Sequence, residues 1–299
     1  MNIETKVQEI LTAHHLDFHI NKWPLTGQDD KGNILISPYY GLYNSLTGKC
    51  INSVKEGYGV SQNRELVQMV LEGMSKFGSQ LTVSNAGSIN GGKRIFFQLK
   101  IEGTTRIGHE TIDRYVTIID SNDGSTGLSI GIGDEVMHCE NQFFKFYKGS
   151  NAKFRHTATI QQKIASIPSL IELALEKSLK QVRTYEKFMS TPLTRNLANL
   201  EHRMVKEVLG YDKVITSVAE QSKLTKRSVG IMDNLYDAIS TEYDQAGKTV
   251  WGLFNGLTRF TTHEKKVYKK ENGYMESMIM GTNYEKAITG FEFLEGIVQ

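Results

Sequence analysis

Two cysteines, Cys50 and Cys139, are all that 299 residues contain, 89 positions apart and in no Cys-x-x-Cys spacing. That leaves no disulfide framework and no zinc ribbon, and it fits a reducing compartment. No run of about 18 or more apolar residues occurs, so no transmembrane helix is expected. The first residues, MNIETKVQEILTAHHLDF, carry Glu4, Glu9, His14 and His15 where a secretory signal would be basic and then apolar. The expectation is a soluble, cytoplasmic protein with no membrane contact. Missing too are the phosphate-cradling GxxxxGK[ST] and the zinc-binding HExxH.

What is present points to a globular chain, 39% hydrophobic and 23% charged, long enough to bury a substantial core. The net charge of +2 conceals an asymmetry: between Lys145 and Gly230 there are 16 Lys and Arg against 7 Asp and Glu, a local +9, so the remainder carries −7. A basic half suits a polyanionic partner, and equally a set of helices with solvated faces.

The pattern changes along the chain. Residues 1–20 have a helical period, with Ile3, Val7, Ile10 and Leu11 on one side. NILIS, LYNSLTGKCINSV and GYGVSQN read as strands of a small β unit, and QNRELVQMVLEGMSKFG as a helix ending at Gly78. In RIFFQLKIE, apolar Ile95, Phe97, Leu99 and Ile101 alternate with Phe96, Gln98, Lys100 and Glu102, the period of a strand with one buried face. An Asn-Gly turn precedes it, TVSNAGS is a further strand, and RYVTIID and STGLSIGIG continue the sheet.

After Thr157 the text is helical. One helix is predicted from SIPSLIEL, with Pro168 in its first turn and a Ser169-to-Glu172 capping box, and another from Thr191 and Pro192 to Gly210. Two more follow around IMDNLYDAISTEY and TVWGLFNGLTRFTTHEK, then a final NYEKAITGFEFLEGIV. The predicted class is therefore α+β, an antiparallel sheet core with a helical C-terminal half. Residues 1–60, 61–160 and 161–299 form its three parts, as pieces of one continuous domain.

The polar residues of the centre allow several chemistries. The GxG of Gly131–Gly133 lies between strand-like stretches, with Glu135 where a dinucleotide fingerprint needs a small residue, so that function is excluded. Asp120, Asp123 and His138 could ligate a divalent metal if strand pairing brought them together. Turn chemistry explains Asn122, Asp123, Gly124 and Ser125 at less cost. Cys139 reads as a buried, inert thiol. Lys145, Lys148, Lys153, Arg155 and His156 alternate with phenylalanines and a tyrosine, a mixture that suits a nucleic-acid strand or, for the rings, a core. Asn255, Arg259 and His263 recur at helical spacing on one face of a predicted helix, as a site lining or as its wet side.

The ordered series LYNSLTGKCINSVKEGYGVSQNRE, AGSINGGKRIFFQLKI, SNDGSTGLSIGIG, FRHT and GKTVWGLFNGLTRFTTHEK resembles the DUF932 family of phage and plasmid proteins, from about Ile34 to Ala287. The resemblance marks Tyr58, Gln62, Asn63, Gly91, Gly92, Asp123, Gly124, Ser125, Arg155, His156, Trp251, Asn255 and His263. Cys139–Asn141, Cys-Glu-Asn, departs from the family's Cys-Asn-Asn. The layout is also similar to Rad52-like single-strand annealing proteins, in which a sheet and a helix build an oligomeric basic groove.

These features together lead to the expectation of a phage-type, non-catalytic protein that binds and anneals single-stranded DNA in recombination or replication. It would act as a homo-oligomer without a cofactor. Lys145, Lys148, Lys153, Arg155, His156, Asn255, Arg259 and His263 would contact the strand, and the turns at Gly91–Gly92 and Asn122–Ser125 would cradle it. The alternatives are a metal-dependent hydrolase or nucleotide-binding enzyme in which Asp120, Asp123, His138, His156 and His263 converge on one pocket, with Asp120, Asp123 and His138 as metal ligands, and a protein that blocks a host factor.

Overall fold

The alternation from Arg94 to Ile101 becomes a strand inside a six-stranded antiparallel sheet. The structure is a computed structural model describing residues 2–137, 140–146, 153–194, 199–209, 225–263 and 272–299. The first elements are α1 (Ile3–Ala13), β1 (Ile20–Gln28), β2 (Ile34–Asn44), β3 (Cys50–Lys55) and α2 (Asn63–Ser75). The sheet follows as β4 (Leu81–Ile89), β5 (Arg94–Ile107), β6 (Glu110–Ser121), β7 (Leu128–Val136), β8 (Asn141–Phe146) and β9 (Lys153–Phe154). The helical part comprises α3 (Ile160–Ile164), α4 (Ile167–Ser190), α5 (Leu200–Leu209), α6 (Lys226–Ala246), α7 (Val250–His263), α8 (Gly273–Met280) and α9 (Thr282–Val298). The architecture is α+β: β1–β2–β3 form a small antiparallel sheet, β4–β5–β6–β7–β8 run in sequence order through the large one, and β9 also pairs with β7.

Strand alternation sends side chains to opposite faces of the large sheet, and each face has its own cover. On one, Ile95, Phe97, Leu99, Val116, Ile118, Leu128, Ile130 and Ile132 pack against α2, α4 and the small sheet, which contributes Ile20, Leu42 and Val54. On the other, Phe96, Ile119 and Phe144 meet Met275, Met278 and Ile279 of α8. A separate aromatic core, with Tyr185, Phe188, Trp251, Phe254 and Phe291, holds the C-terminal helices together and takes in Phe143 of β8.

Several local expectations change. Residues 57–62 form no strand; they run as an extended connector into α2, whose cap is Gln62 in a capping box with Glu65. β1 occupies a stretch with little alternation, and β8 and β9 are formed from the ring-rich segment. α4 begins at Ile167, two residues ahead of the predicted Ser169 cap, and no side chain caps it. Thr191 and Pro192 start no helix, because Pro192 instead bridges to Thr249. Leu200, Met204 and Val208, on one face of α5, are buried.

Candidate nucleic-acid interface

β9 and the residues after it alternate in burial. Lys153 and Arg155 are exposed, whereas Phe154 is in the core and His156 is buried. The His156 ring is held on every side. Nδ1 lies 3.1 Å from the Gly59 carbonyl, so it carries a hydrogen and donates, and Nε2 lies 2.6 Å from an Asp120 carboxylate oxygen. The other Asp120 oxygen accepts from the Ser61 hydroxyl, and the Tyr58 ring stacks on His156 at 5.1 Å and 10°. Burial works against a charged imidazole, but the Asp120 hydrogen bond and charge outweigh it and raise the His156 pKa. His156 is thus a buried clamp fastening β9 to the end of β6 and the 57–62 connector. Its nitrogens face protein and cannot contact a strand, contrary to the sequence expectation.

The two predicted turns are tied to one another. Asn90 and Gly91 both have positive φ, as an Asn-Gly turn requires. Asn122 donates to the Gly92 carbonyl and Asn44 to that of Gly91, so the small sheet and both turns meet. Asp123 accepts from the Ser125 N–H within its turn, and Arg94 reaches Ser125, Asp123 and Glu276 of α8. Hence Asp123 faces an arginine at 3.8 Å, away from the Asp120–His156 pair. The Asn122 N–H donates to the Lys93 carbonyl and the Ser125 N–H to Asp123, and the two turns that hold Gly91, Gly92, Asn122, Asp123, Gly124 and Ser125 act as a structural knot.

The helical-face trio is placed differently again. Asn255 is fully buried and donates to the Glu110 carboxylate at 3.3–3.4 Å. Arg259 pairs with buried Glu242 at 3.2 Å, and Glu242 also accepts from Asn141. Burial pushes the Glu110 carboxyl up, against the pull of the Trp251 and Asn255 N–H groups. His263 ends α7 and is exposed. Lys145 is pinned: its ammonium lies 3.5 Å from Glu295 and 4.2 Å from the centre of the Phe291 ring. Asn255 therefore cannot reach a ligand, while Lys145 and Arg259 already have internal partners. Lys148, His138 and Cys139 lie outside the described residues.

Among the described residues no three His, Cys, Asp or Glu converge as a metal-binding group. The letters Gly-Leu-Ser-Ile-Gly at 127–131 also spell the GxSxG of a nucleophile elbow. Ser129 sits within β7 instead of at a strand-to-helix turn, and its hydroxyl donates to the Gly127 carbonyl. It stands opposite Ile119 and Lys153, on the sheet face away from Asp120 and Phe154. Gly127 and Gly131 have a packing reason. A side-chain carbon at Gly127 would overlap the Phe154 carbonyl, and one at Gly131 the Lys145 carbonyl.

A more open surface lies where the sequence gives little signal. Pairing of Trp23 with Gly41, Gly41 with Ser53, Tyr39 with Lys55 and Tyr43 with Cys50 puts these side chains on one face of the small sheet. The opposite face, with Leu42 and Val54, is in the core. Trp23 is 56% exposed and Tyr39 44%, and the Trp23 and Tyr43 rings lie 5.2 Å apart. Lys55 is exposed on the same face. Trp23 gives no strand signal, because Lys22 and Pro24 flank it and β1 itself has no clear period. By contrast, the cleft of about 240 Å³ on the large sheet is lined by Asn85, Gln98, Tyr115, Asp134, Glu135 and Gln142 among others, and its two acidic residues suit a polyanion poorly.

No curated protein and no solved structure matches the chain. The family model described as a domain of unknown function, DUF932, matches residues 50–279, which begin at β3 and take in the large sheet, the clamp and α7. Spanning most of the 299 residues, that match places the chain in the DUF932 family.

Proposed function

We propose that the protein is a non-catalytic binder of single-stranded DNA that promotes annealing in phage recombination or replication, acting as an oligomer in the host cytoplasm. The observation that carries this reading is the outward face of β1–β2–β3, where Trp23, Tyr39 and Tyr43 accompany Lys55. Exposed rings offer stacking surface to any base, and duplex DNA, whose bases are already stacked, cannot use it.

Lys153 and Arg155 supply further cations. They project from a strand whose alternate residues, Phe154 and His156, are fixed in the core, so little side-chain-bearing backbone has to be ordered on binding. The connector from Lys55 to Gly59 is four Cα steps, at most about 15 Å, and Gly59 touches His156 directly. The connector thus ties the end of β3, at Lys55, to the segment that carries Arg155. Lys148 belongs to the same basic stretch of sequence.

The test is fluorescence anisotropy with a single strand of about 40 nucleotides and its duplex across a salt series, where each phosphate contact contributes roughly one unit of log–log slope. Salt-sensitive binding that prefers the single strand, together with faster annealing of complementary strands, is expected. Binding indifferent to salt, or equal for both forms, overturns the reading.

A further inference from the structure

The large-sheet face that meets α8 is covered only in part. Phe96 and Ile119 lie under Met275, Met278 and Ile279, whereas the rows beyond them, toward Val136, open as the cleft of about 240 Å³. Strand pairing assembles its lining on one face: Asn85 stands opposite Gln98, Tyr115 opposite Gly133, Gly133 opposite Phe144, and Glu135 opposite Gln142. Gly133 has no side chain, and the Phe144 ring lies in the space where one would stand.

The polar side chains of the cleft are fixed by protein at one end and open at the other. Asn85 donates to Gln98 Oε1 at 3.2 Å, Tyr274 to Gln142 Oε1 at 3.1 Å and Tyr115 to Glu135 Oε2 at 3.2 Å. Gln98 Nε2, Gln142 Nε2 and Glu135 Oε1 have no hydrogen-bond partner among the described residues. Gln98 is only 8% exposed and lines the cleft. An amide so deeply placed is costly to leave with its N–H groups unused. Of the two acidic residues, Asp134 turns its carboxylate to Tyr185 and Gln181 of α4, so Glu135 is the one that faces the cleft.

This set of groups is selective. Glu135 repels an anion, and a cation leaves the Gln98 and Gln142 N–H groups unmatched. A sugar hydroxyl both donates and accepts and needs no fixed order of partners, whereas each amide here is oriented by its neighbour in the protein. What fits is a ligand with fixed donors beside a fixed acceptor, as on the edge of an unpaired nucleobase.

We propose that the cleft takes the Watson–Crick edge of a guanine. Glu135 accepts from guanine N1–H and the 2-amino group, and Gln142 Nε2, directly across the ladder, donates to O6. Guanine N3 and N7 remain as acceptors for Gln98. Among the four bases only guanine sets two adjacent N–H donors beside a carbonyl. The phosphates stay outside the cleft, clear of Glu135. That the guanine belongs to a DNA strand rests on the single-strand reading above; the preference for guanine does not.

The test therefore begins with free guanosine and the whole chain. Titration calorimetry is expected to show saturable guanosine binding, with inosine, which lacks the 2-amino group, weaker by roughly tenfold and adenosine weaker still. Glu135→Gln, with folding checked by thermal melting, should erase the preference for guanosine over inosine. If that variant does not fold, Gln142→Met, which removes the donor to O6, should weaken guanosine roughly tenfold. Single strands with scattered guanines, compared with thymine alone, separate a base in DNA from a free nucleoside. A preference for the guanine strands that is lost in Glu135→Gln supports a base in DNA. Guanosine binding without strand binding supports the cleft and removes the single-strand reading. Absence of saturable guanosine binding overturns the proposal. So does equal affinity for guanosine, inosine and adenosine, or a folded Glu135→Gln variant that keeps the preference.

Discussion

His156 Nε2 and an Asp120 carboxylate oxygen meet at 2.6 Å with both side chains almost fully buried. Because His156 has a raised pKa, its stabilising contribution is complete below the ordinary value of 6.5 and is lost as pH rises through the raised value. Urea unfolding followed from mildly acidic to mildly alkaline pH should display that decline. Asp120→Asn should remove the decline and cost about 3–5 kcal/mol at low pH, as for other broken buried pairs. A pH slope unchanged in the variant would assign the titration to another group.

Asp134 provides the opposite kind of test. It is buried under α4, where burial raises its pKa to about 6 against the hydrogen bonds from Tyr185 and Gln181 and the charge of Arg114. A carboxyl raised in the folded state is penalised when ionised, so its cost grows as pH rises from about 4 to 6. Asp134→Asn keeps an oxygen for Tyr185 and has no charge to bury. Relative to the parent, its stability should improve by about 2–3 kcal/mol between pH 4 and pH 7. Parallel stability curves for the two proteins would refute this.

The contact of β9 with β7 depends on a missing side chain. Gly127→Ala puts a methyl group into the Phe154 carbonyl and should destabilise by about 1–3 kcal/mol. If the clamp organises the cations as described, the same variant should weaken single-strand binding at temperatures where it remains folded. Unaltered melting would mean that β9 can shift without cost.

Phe254 touches Phe143, Tyr185, Phe188, Trp251 and Phe291, and so joins the sheet, α4, α7 and α9. Phe254→Ala should cost about 3–5 kcal/mol. Loss of near-UV circular dichroism from the helical half is the measurement, and a loss below about 1 kcal/mol would argue against a tightly packed cluster.

For the proposed interface, Trp23→Ala should weaken single-strand binding by about 1–3 kcal/mol with the salt slope unchanged. Lys55→Ala and Arg155→Ala should each lower that slope by roughly one unit. Lys145→Ala, whose ammonium is already held by Glu295, serves as the control and should leave the slope alone. The reverse pattern would move the interface to β8.

Strands with one buried face were legible because alternation is a direct consequence of the pleat: β5 from Arg94 and the Asn90–Gly91 turn appear where the letters place them. β1 was not legible, since its solvent face carries Trp23 and its tip is exposed on both sides, which erases the period. The candidate site was read less well. Lysines among phenylalanines look the same whether the rings wait for bases or fill a core, and only tertiary packing puts Phe143, Phe144 and Phe154 inside and Lys145 across Phe291. Likewise, Asn255 and Arg259 follow helical spacing on a helix whose polar stripe faces Glu110 and Glu242 instead of water.

β7 has two successive neighbours along a single edge: Phe146 of β8 stands opposite Gly131 and Lys153 of β9 opposite Ser129. Six residues of sequence, 147–152, thus separate partners of two β7 positions that are only two apart. The sheet sets where that segment departs and where it returns, but its length enters neither ladder. Both ladders on that edge are therefore fixed by β7 itself, whatever chain joins them.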